Sequence, residues 1–367
     1  MKITFVAPCA DASGGFRVVT IHARRLQERG HDVLIIYPPQ PMPTLKDRLQ
    51  SFLKRREWPR RATMIHHDID VPHRQLDRRR AVMESDLPDA DVVIATWWET
   101  AEWVAELSPR KGAKAYFIQH HEVFDYLPKE RVSATYRLPL HKITISKWLL
   151  DVMQSSYGDT SVSLVRNAVD VRQFFAPVRD KQRVPTIGFL YSTIPWKGCR
   201  TLFAAVEILR ARLRGLRLIA FGHQEPSPDL PLPIGTEYYR WPPQDEIRNI
   251  YAACDLWLCG SEMEGFSLPP FEAMACRCPV VSTSVGGLID AIHDGVNGYL
   301  VPVGNHATLA ECARTVLELP PPAWRAMSDA AYQTATAYNW DDASVLFEKA
   351  LQLAVERSRN ESLSVSR

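Results

Sequence analysis

Glu264 and Glu272 stand eight positions apart in the stretch GSEMEGFSLPPFEAMACRCPVVSTSVGG, residues 260–287. An ionised carboxylate is a pure acceptor, so beside a helix N-terminus it can accept hydrogen bonds from hydroxyls such as those of a sugar or ribose. Taken singly, each glutamate has an ordinary explanation. A carboxylate in a first helical turn is favoured by the helix dipole, and a loop glutamate is simply solvated.

The elements around the pair give it direction. Pro269 and Pro270 fall where a helix begins, because proline tolerates the first turn. Phe271, Ala273, Met274, Ala275 and Cys276 continue that helix as a short apolar segment, Pro279-Val280-Val281 starts a buried strand, and Gly286-Gly287 reads as a turn. The pattern therefore predicts Glu264 in a strand-to-helix loop and Glu272 in the first turn of the helix that follows. Such loops, at the carboxyl ends of parallel strands, are where open α/β sheets bind ligands, and a helix N-terminus suits a phosphate.

Glu264, Gly265, Phe266, Leu268, Pro269, Glu272, Ala273, Met274 and Ala275 together resemble the E-G-F-G-L-P-x-x-E-A-M-A signature of retaining GT-B glycosyltransferases, with Ser267 where glycine is usual. The resemblance is to glycosyltransferase family 4, the group 1 glycosyl transferases, which use nucleotide-sugar donors. It extends over nearly the whole chain and is densest over residues 160–302. It implies an α/β chain with the GT-B fold, two Rossmann-like parallel-sheet domains facing each other across a cleft. The implied activity is metal-independent transfer of a hexosyl or deoxyhexosyl unit from a nucleotide diphosphate sugar to a hydroxyl acceptor, with retention. The acceptor would be a glycan, a lipid-linked molecule or a small molecule, in bacterial polysaccharide, surface-glycan or glycolipid synthesis.

The roles follow motif by motif. Glu272 would take ribose hydroxyls, and Glu264 would take donor-sugar hydroxyls and steady an oxocarbenium-like state. Gly14, Gly15 and Lys197, with N–H groups of the Phe266–Leu268 loop, would hold the diphosphate. The acceptor proton would pass to the leaving phosphate on the same face, so no cofactor, metal or dedicated side-chain base is implied. Lys197-Gly198 matches the end of the family's G-R-x-x-x-x-K-G loop, but Ser192 stands where its arginine belongs; Arg17 and Arg166 are the alternatives for the missing cation, which matters because two cations stabilise a departing diphosphate better than one. Arg240 and Trp241 end a short strand, residues 238–241, around whose end the family's backbone contacts the nucleobase; Trp241 could equally pack in the core. Arg166-Asn167-Ala168-Val169-Asp170, with Phe174, resembles N-G-V-D-x-x-x-F with Ala168 replacing glycine, and Gly295, Asn297, Gly298, Leu300 and Val301 match G-x-N-G-x-L-V. His120 or His121, directly after a buried strand, is placed near sugar and acceptor; each could equally bond a backbone carbonyl. Gln119-His120-His121-Glu122, with the absent arginine, is similar to bacterial rhamnosyltransferases. A nucleotide-sugar 2-epimerase shares the fold but lacks the paired-glutamate frame, and a non-catalytic nucleotide-sugar-binding subunit is the reading that Ser192 keeps open.

Composition bounds the alternatives. At about 150 residues per domain, 367 residues make two domains. Hydrophobic content of 46% and charged content of 23% are those of a globular protein. A net charge of +2 leaves no nucleic-acid footprint. No apolar run reaches the roughly 18 residues of a membrane span, and the start, MKITFVAPCA, reads as a strand rather than a signal peptide. Seven scattered cysteines read as reduced thiols of a cytoplasmic protein, and Cys276-x-Cys278 has no second pair at zinc-ligand spacing. The charge is uneven: residues 1–180 hold 27 Lys and Arg against 22 Asp and Glu, whereas the remainder holds 17 against 20.

In chain order, residues 1–170 read as an N-terminal Rossmann-like acceptor domain, 171–185 as a linker, 186–338 as the nucleotide-sugar domain, about 340–357 as a helix crossing back to the first domain, and 358–367 as a polar, disordered tail. In the first domain, strand 2–7 leads to a loop at Ser13-Gly14-Gly15 and a helix from about Phe16 to Arg29. Residues 288–294 read as helical. Lys46–Arg61 carries seven Lys and Arg, with Leu45, Leu49, Phe52 and Leu53 on one helical face and Trp58 beyond. Segment 44–61 is thus either a solvated helix packed on its domain or a peripheral contact with the inner face of a membrane. His66-His67-Asp68-x-Asp70 reads as a surface strand or turn.

Overall fold

The computed structural model describes residues 1–11, 13–41 and 69–365, of Glu361–Val365 the backbone alone. Segment 44–61 and the His66-His67-Asp68 cluster lie outside the described residues. The chain divides into two compact units, one comprising Met1–Thr144, Leu150–Val165 and Ser344–Arg367, the other Ile145–Leu149 and Arg166–Ala343.

Unit 1 is built on a seven-stranded parallel sheet in the order β3-β2-β1-β4-β5-β6-β7, comprising β1 (Lys2–Val6), β2 (Asp32–Tyr37), β3 (His73–Gln75), β4 (Val92–Ala95), β5 (Ala113–Ile118), β6 (His141–Thr144) and β7 (Ser163–Leu164). Its central strands are mostly buried and mainly apolar, interrupted by Thr4 in β1 and Lys114 in β5, as strands covered on both faces tend to be. Ile3 pairs with Val33 on one side and Val92 on the other, so the strand order reverses between β1 and β4. Helix α1 (Gly14–Glu28) leaves β1, with α2 (Trp98–Glu106), α3 (Lys129–Thr135) and α4 (Lys147–Tyr157) following β4, β5 and β6. The hydroxyl of Ser13 caps α1 by accepting from the Phe16 N–H, so Gly14 and Gly15 are its first two residues rather than a preceding loop. Helix α3 carries too little apolar periodicity to be read from sequence.

Unit 2 has a six-stranded parallel sheet in the order β10-β9-β8-β11-β12-β13: β8 (Thr186–Leu190), β9 (Arg217–Gly222), β10 (Thr236–Arg240), β11 (Leu256–Cys259), β12 (Val280–Thr283) and β13 (Gly298–Val301). Helices α5 (Cys199–Arg212), α6 (Ile247–Ala252), α7 (Leu268–Ala275), α8 (His306–Glu318) and α9 (Pro321–Thr336) cover it. One core joins Phe189, Leu258 and Val281 to Leu202, Val206, Leu309 and Trp324. Here the order reverses between β8 and β11, and that switch point sets the place of the site. Residues 288–294 are not a helix: a single 3-10 turn, Gly286–Leu288, is followed by turns. The backbone N–H of His293 binds the Asn297 side chain, whose amide also reaches Ala291 O at 2.8 Å, so a side chain replaces the helical ladder.

The last helix, α10 (Trp340–Val365), runs past the expected end at residue 357 through most of the segment read as a disordered tail. Polar composition is compatible with helix when one face is held. Phe347 stacks on Phe5 and His22 of unit 1, and Arg357 reaches His141 at 2.9 Å.

Candidate functional site

Two loops leave the switch point of unit 2. The first, after β8, passes through Ser192 to a 3-10 turn at Pro195–Lys197 and then Gly198; the second, after β11, passes through Gly260 and Ser261 to Glu264. They are locked together. Gly198 has φ +62°, and a Cβ there would lie 1.7 Å from Gly260 O, so only glycine lets the backbones cross. The Glu262 N–H donates to Trp196 O at 2.7 Å.

This crossing delivers Lys197 to Glu264. The ammonium donates to Oε1 at 2.8 Å and to Oε2 at 3.0 Å, and the Ser261 hydroxyl also donates to Oε1 at 2.8 Å. The Glu264 side chain is 8% exposed and that of Lys197 28%, so the carboxylate is buried and the lysine chain mostly so. Burial alone would depress the Lys197 ammonium, but the Glu264 carboxylate outweighs it and holds its pKa above the ordinary value. The pair lines a cavity of about 20 Å³ with Ser261, Ser267, Pro269 and Pro270. A larger hollow of about 490 Å³ lies among Asp180, Lys181, Gln182, Arg183, Pro185 and Pro321, before β8 begins and thus at the amino end of the sheet, away from where such sheets bind ligands.

Gly286 and Gly287 hold the glutamate loop from behind. A Cβ on Gly286, at φ +53°, would meet Glu264 O at 2.7 Å, and one on Gly287 would enter the Phe266 ring at 2.5 Å. Phe266 in turn stacks on Phe271, centroids 4.3 Å apart. Gly265, Phe266, Ser267 and Leu268 thereby form a tight, largely buried turn into α7. Because Pro269 and Pro270 have no N–H, this helix start offers the N–H of Leu268 and those of the loop before it.

Ser267 explains the one departure inside the glutamate motif. It adopts φ 76° and ψ 76°, left-handed backbone that glycine takes freely, and its hydroxyl makes no capping bond. A side chain there costs about 1–2 kcal/mol. Ser267→Gly is expected to raise thermal stability by about 1 kcal/mol, or roughly 2–4 °C in Tm, in a differential scanning experiment; an unchanged or lower Tm would show that the serine is unstrained.

Glu272 is the fifth residue of α7, one residue further in than a start at Pro269 would put it and so just past the first turn, because the helix starts at Leu268 instead of at the prolines. It is 6% exposed and accepts from the Tyr251 hydroxyl at 2.9 Å. Ser192 closes its own turn: its Oγ accepts from the Ile194 N–H, and its N–H donates to Cys199 Sγ at 3.3 Å. It supplies no positive charge. Of the two arginines that could, Arg166 lies over the Tyr338 ring at 5.3 Å, and Arg17 is the fourth residue of α1. Arg240 ion-pairs with Glu225 at the carboxyl end of β10. Trp241 next to it is half-exposed, has φ 49° and lies 4.4 Å from the His223 ring, so it is a surface platform and not a core side chain.

In unit 1, Gly14 and Gly15 open α1 with no positive φ, and the nearest atom to a Cβ on Gly15 would be in the Gln119 side chain at 3.7 Å. His120 Nδ1 faces His121 O at 3.1 Å, and His121 Nε2 faces the Tyr157 hydroxyl at 2.7 Å. Burial first, then His120, lowers the pKa of the His121 imidazole. Sequence reasoning passed over the third residue of the run. Glu122 is 1% exposed, accepts from the Trp98 N–H at the start of α2, and lies 3.4 Å from the Tyr116 hydroxyl, while its own N–H donates to the Tyr136 hydroxyl. A glutamate after an apolar strand was the available signal.

Burial pushes the Glu122 carboxyl well above its ordinary 4.5. A group more easily protonated when folded stabilises the fold below its unfolded value and loses that stabilisation as pH rises toward its folded value. Urea unfolding is therefore expected to show wild-type stability falling from pH 4.5 upward, by at most about 1.4 kcal/mol per pH unit from this group, with a flatter profile in Glu122→Gln. Parallel profiles would contradict this.

Residues 182–319 match the family model described as glycosyl transferases group 1. A D-inositol 3-phosphate glycosyltransferase of Mycolicibacterium smegmatis is 32% identical over 199 residues, 49% of this chain and 44% of that protein. This chain thus spans less than half the length of that relative. Among solved structures, the sucrose-phosphate synthase from Thermosynechococcus elongatus superposes with a TM-score of 0.74 at 16% identity, over 96% of this chain and 99% of the other. Anabaena HepE, in complex with UDP and glucose, does so with a TM-score of 0.70 at 16% identity, over 96% and 99%. At that identity the likeness is one of fold: two Rossmann-like parallel-sheet units, the GT-B fold. Among the described residues no helix is long and apolar enough to cross a membrane.

Proposed function

We propose that this chain is a retaining, metal-independent glycosyltransferase of the group 1 type, moving a hexosyl or deoxyhexosyl unit from a nucleotide diphosphate sugar to a hydroxyl acceptor in bacterial polysaccharide, surface-glycan or glycolipid synthesis. The observation that carries this reading is the delivery of Lys197 and Glu264 to one point by the two loops of the unit 2 switch point. Lys197 and the N–H groups at the start of α7 take the diphosphate. Glu272 takes the ribose hydroxyls, and Glu264 takes those of the donor sugar. Trp241, with its exposed ring at the end of β10, stacks on the base. His120 and His121, at the end of β5, meet the acceptor.

In the reaction the bond from the anomeric carbon to the phosphate oxygen breaks as the bond to the acceptor oxygen forms on the same face. The acceptor proton goes to the departing phosphate. Glu264 favours the positive charge that develops on the sugar, and Lys197 the negative charge on the diphosphate. A panel of nucleotide sugars incubated without acceptor distinguishes the readings. Slow release of nucleoside diphosphate with the sugar anomer retained supports a transferase; inversion at C2 would identify a 2-epimerase, and binding without turnover a nucleotide-sugar-binding subunit.

A further inference from the structure

The Lys197–Glu264 pair has a consequence for which nucleotide the site prefers. The two proposed ligand contacts are at present each other's partners: the ammonium bonds both carboxylate oxygens, and among the described residues the other hydrogen-bond donor to the carboxylate is the Ser261 hydroxyl. A diphosphate that draws Lys197 away would leave Glu264 as a charge in a pocket where its side chain is 8% exposed, with one hydroxyl for company. Separating one partner from a pair this buried is costly, because the remaining charge is poorly solvated. The backbone cannot relax to expose it. Glu264 is hemmed in behind by Gly286, whose missing Cβ would stand 2.7 Å from Glu264 O, and Gly198 crosses Gly260 within the same bend.

We infer that Glu264 makes the site discriminate against nucleoside diphosphate alone and in favour of the intact nucleotide sugar, because only sugar hydroxyls can replace the ammonium that the diphosphate takes from it. This rests on the donor site proposed above and adds an exchange to it. Lys197 moves from carboxylate to phosphate while sugar hydroxyls move onto the carboxylate, and after transfer the reverse exchange helps expel the product diphosphate. By linkage, diphosphate and a free monosaccharide then bind with positive coupling, each making room for the other.

Calorimetry on the full chain tests this. The probe is whichever of UDP, GDP, dTDP and ADP raises Tm most, titrated with and without a saturating panel monosaccharide (glucose, galactose, mannose or rhamnose), into wild type and Glu264→Gln. In wild type the monosaccharide is expected to tighten diphosphate binding about tenfold, and in Glu264→Gln the diphosphate alone should bind about tenfold more tightly, with the coupling to monosaccharide gone. The coupling is read in wild type, so the inference remains testable if the variant fails to fold. Diphosphate binding that is indifferent to every monosaccharide, or unchanged in Glu264→Gln, would overturn the exchange while leaving the donor site standing. Failure of all four diphosphates to bind would overturn the donor site and the exchange with it.

Discussion

Glu264→Gln is expected to lower turnover of the donor by about two to three orders of magnitude, the scale seen when one electrostatic partner of a transition state is removed. The substitution preserves shape and keeps the amide oxygen as an acceptor, so the Ser261 hydroxyl retains its 2.8 Å partner. What disappears is the negative charge that the proposed mechanism sets beside the sugar carbon. Steady-state kinetics should therefore show the loss in kcat, with the fold intact by circular dichroism. Glu272→Gln is the contrast: its carboxylate accepts from the Tyr251 hydroxyl of α6 and, in the proposed site, takes the ribose, so its loss should appear in nucleotide affinity more than in kcat. Equal, wild-type-like kinetics in both variants would remove both residues from the site.

Gly198→Ala is expected to be the most destabilising single-methyl change in unit 2. The new Cβ would lie 1.7 Å from Gly260 O, at φ +62°, so it meets backbone that cannot rotate away. Strained backbone and overpacking together cost about 3–5 kcal/mol, or roughly 6–15 °C in Tm. Any surviving folded protein should lose activity as well, because Lys197 adjoins the displaced residue. A Tm within a degree of wild type would show that the two loops do not cross as described.

The geometry of the candidate site in unit 2 was legible where residue type and spacing are dictated by the backbone. Gly198 and Gly286-Gly287 stand out because a side chain there would meet Gly260 O, Glu264 O or the Phe266 ring, and the buried runs of β8, β11 and β12 announce parallel strands. Ser267 was visible as a departure, but its meaning needed a dihedral angle: a serine in left-handed backbone looks in sequence like any other. Glu272 lies one residue deeper than the first turn expected of it because prolines are tolerated anywhere in a first turn, and here they are the second and third residues of the helix. Gly14 and Gly15 were read as a loop because glycine is a poor helix former; the Ser13 cap overrides that preference. Glu122 was missed because sequence alone does not show that a carboxylate after a strand folds back under Trp98 and Tyr136. The end of α10 was missed because the helix is held within unit 1 by Phe347 on His22 and Arg357 on His141, contacts at sequence separations over 200 residues.

The central claim is that the two loops at the unit 2 switch point bind a nucleotide through Lys197 and Glu272. The most direct measurement is the dissociation constant of the best-stabilising nucleoside diphosphate for wild type and for Glu272→Gln, by calorimetry on the full chain. The account predicts binding to wild type and a loss of about tenfold or more in the variant, the worth of a charged hydrogen bond to a ribose hydroxyl. Equal affinities in two folded proteins would contradict it.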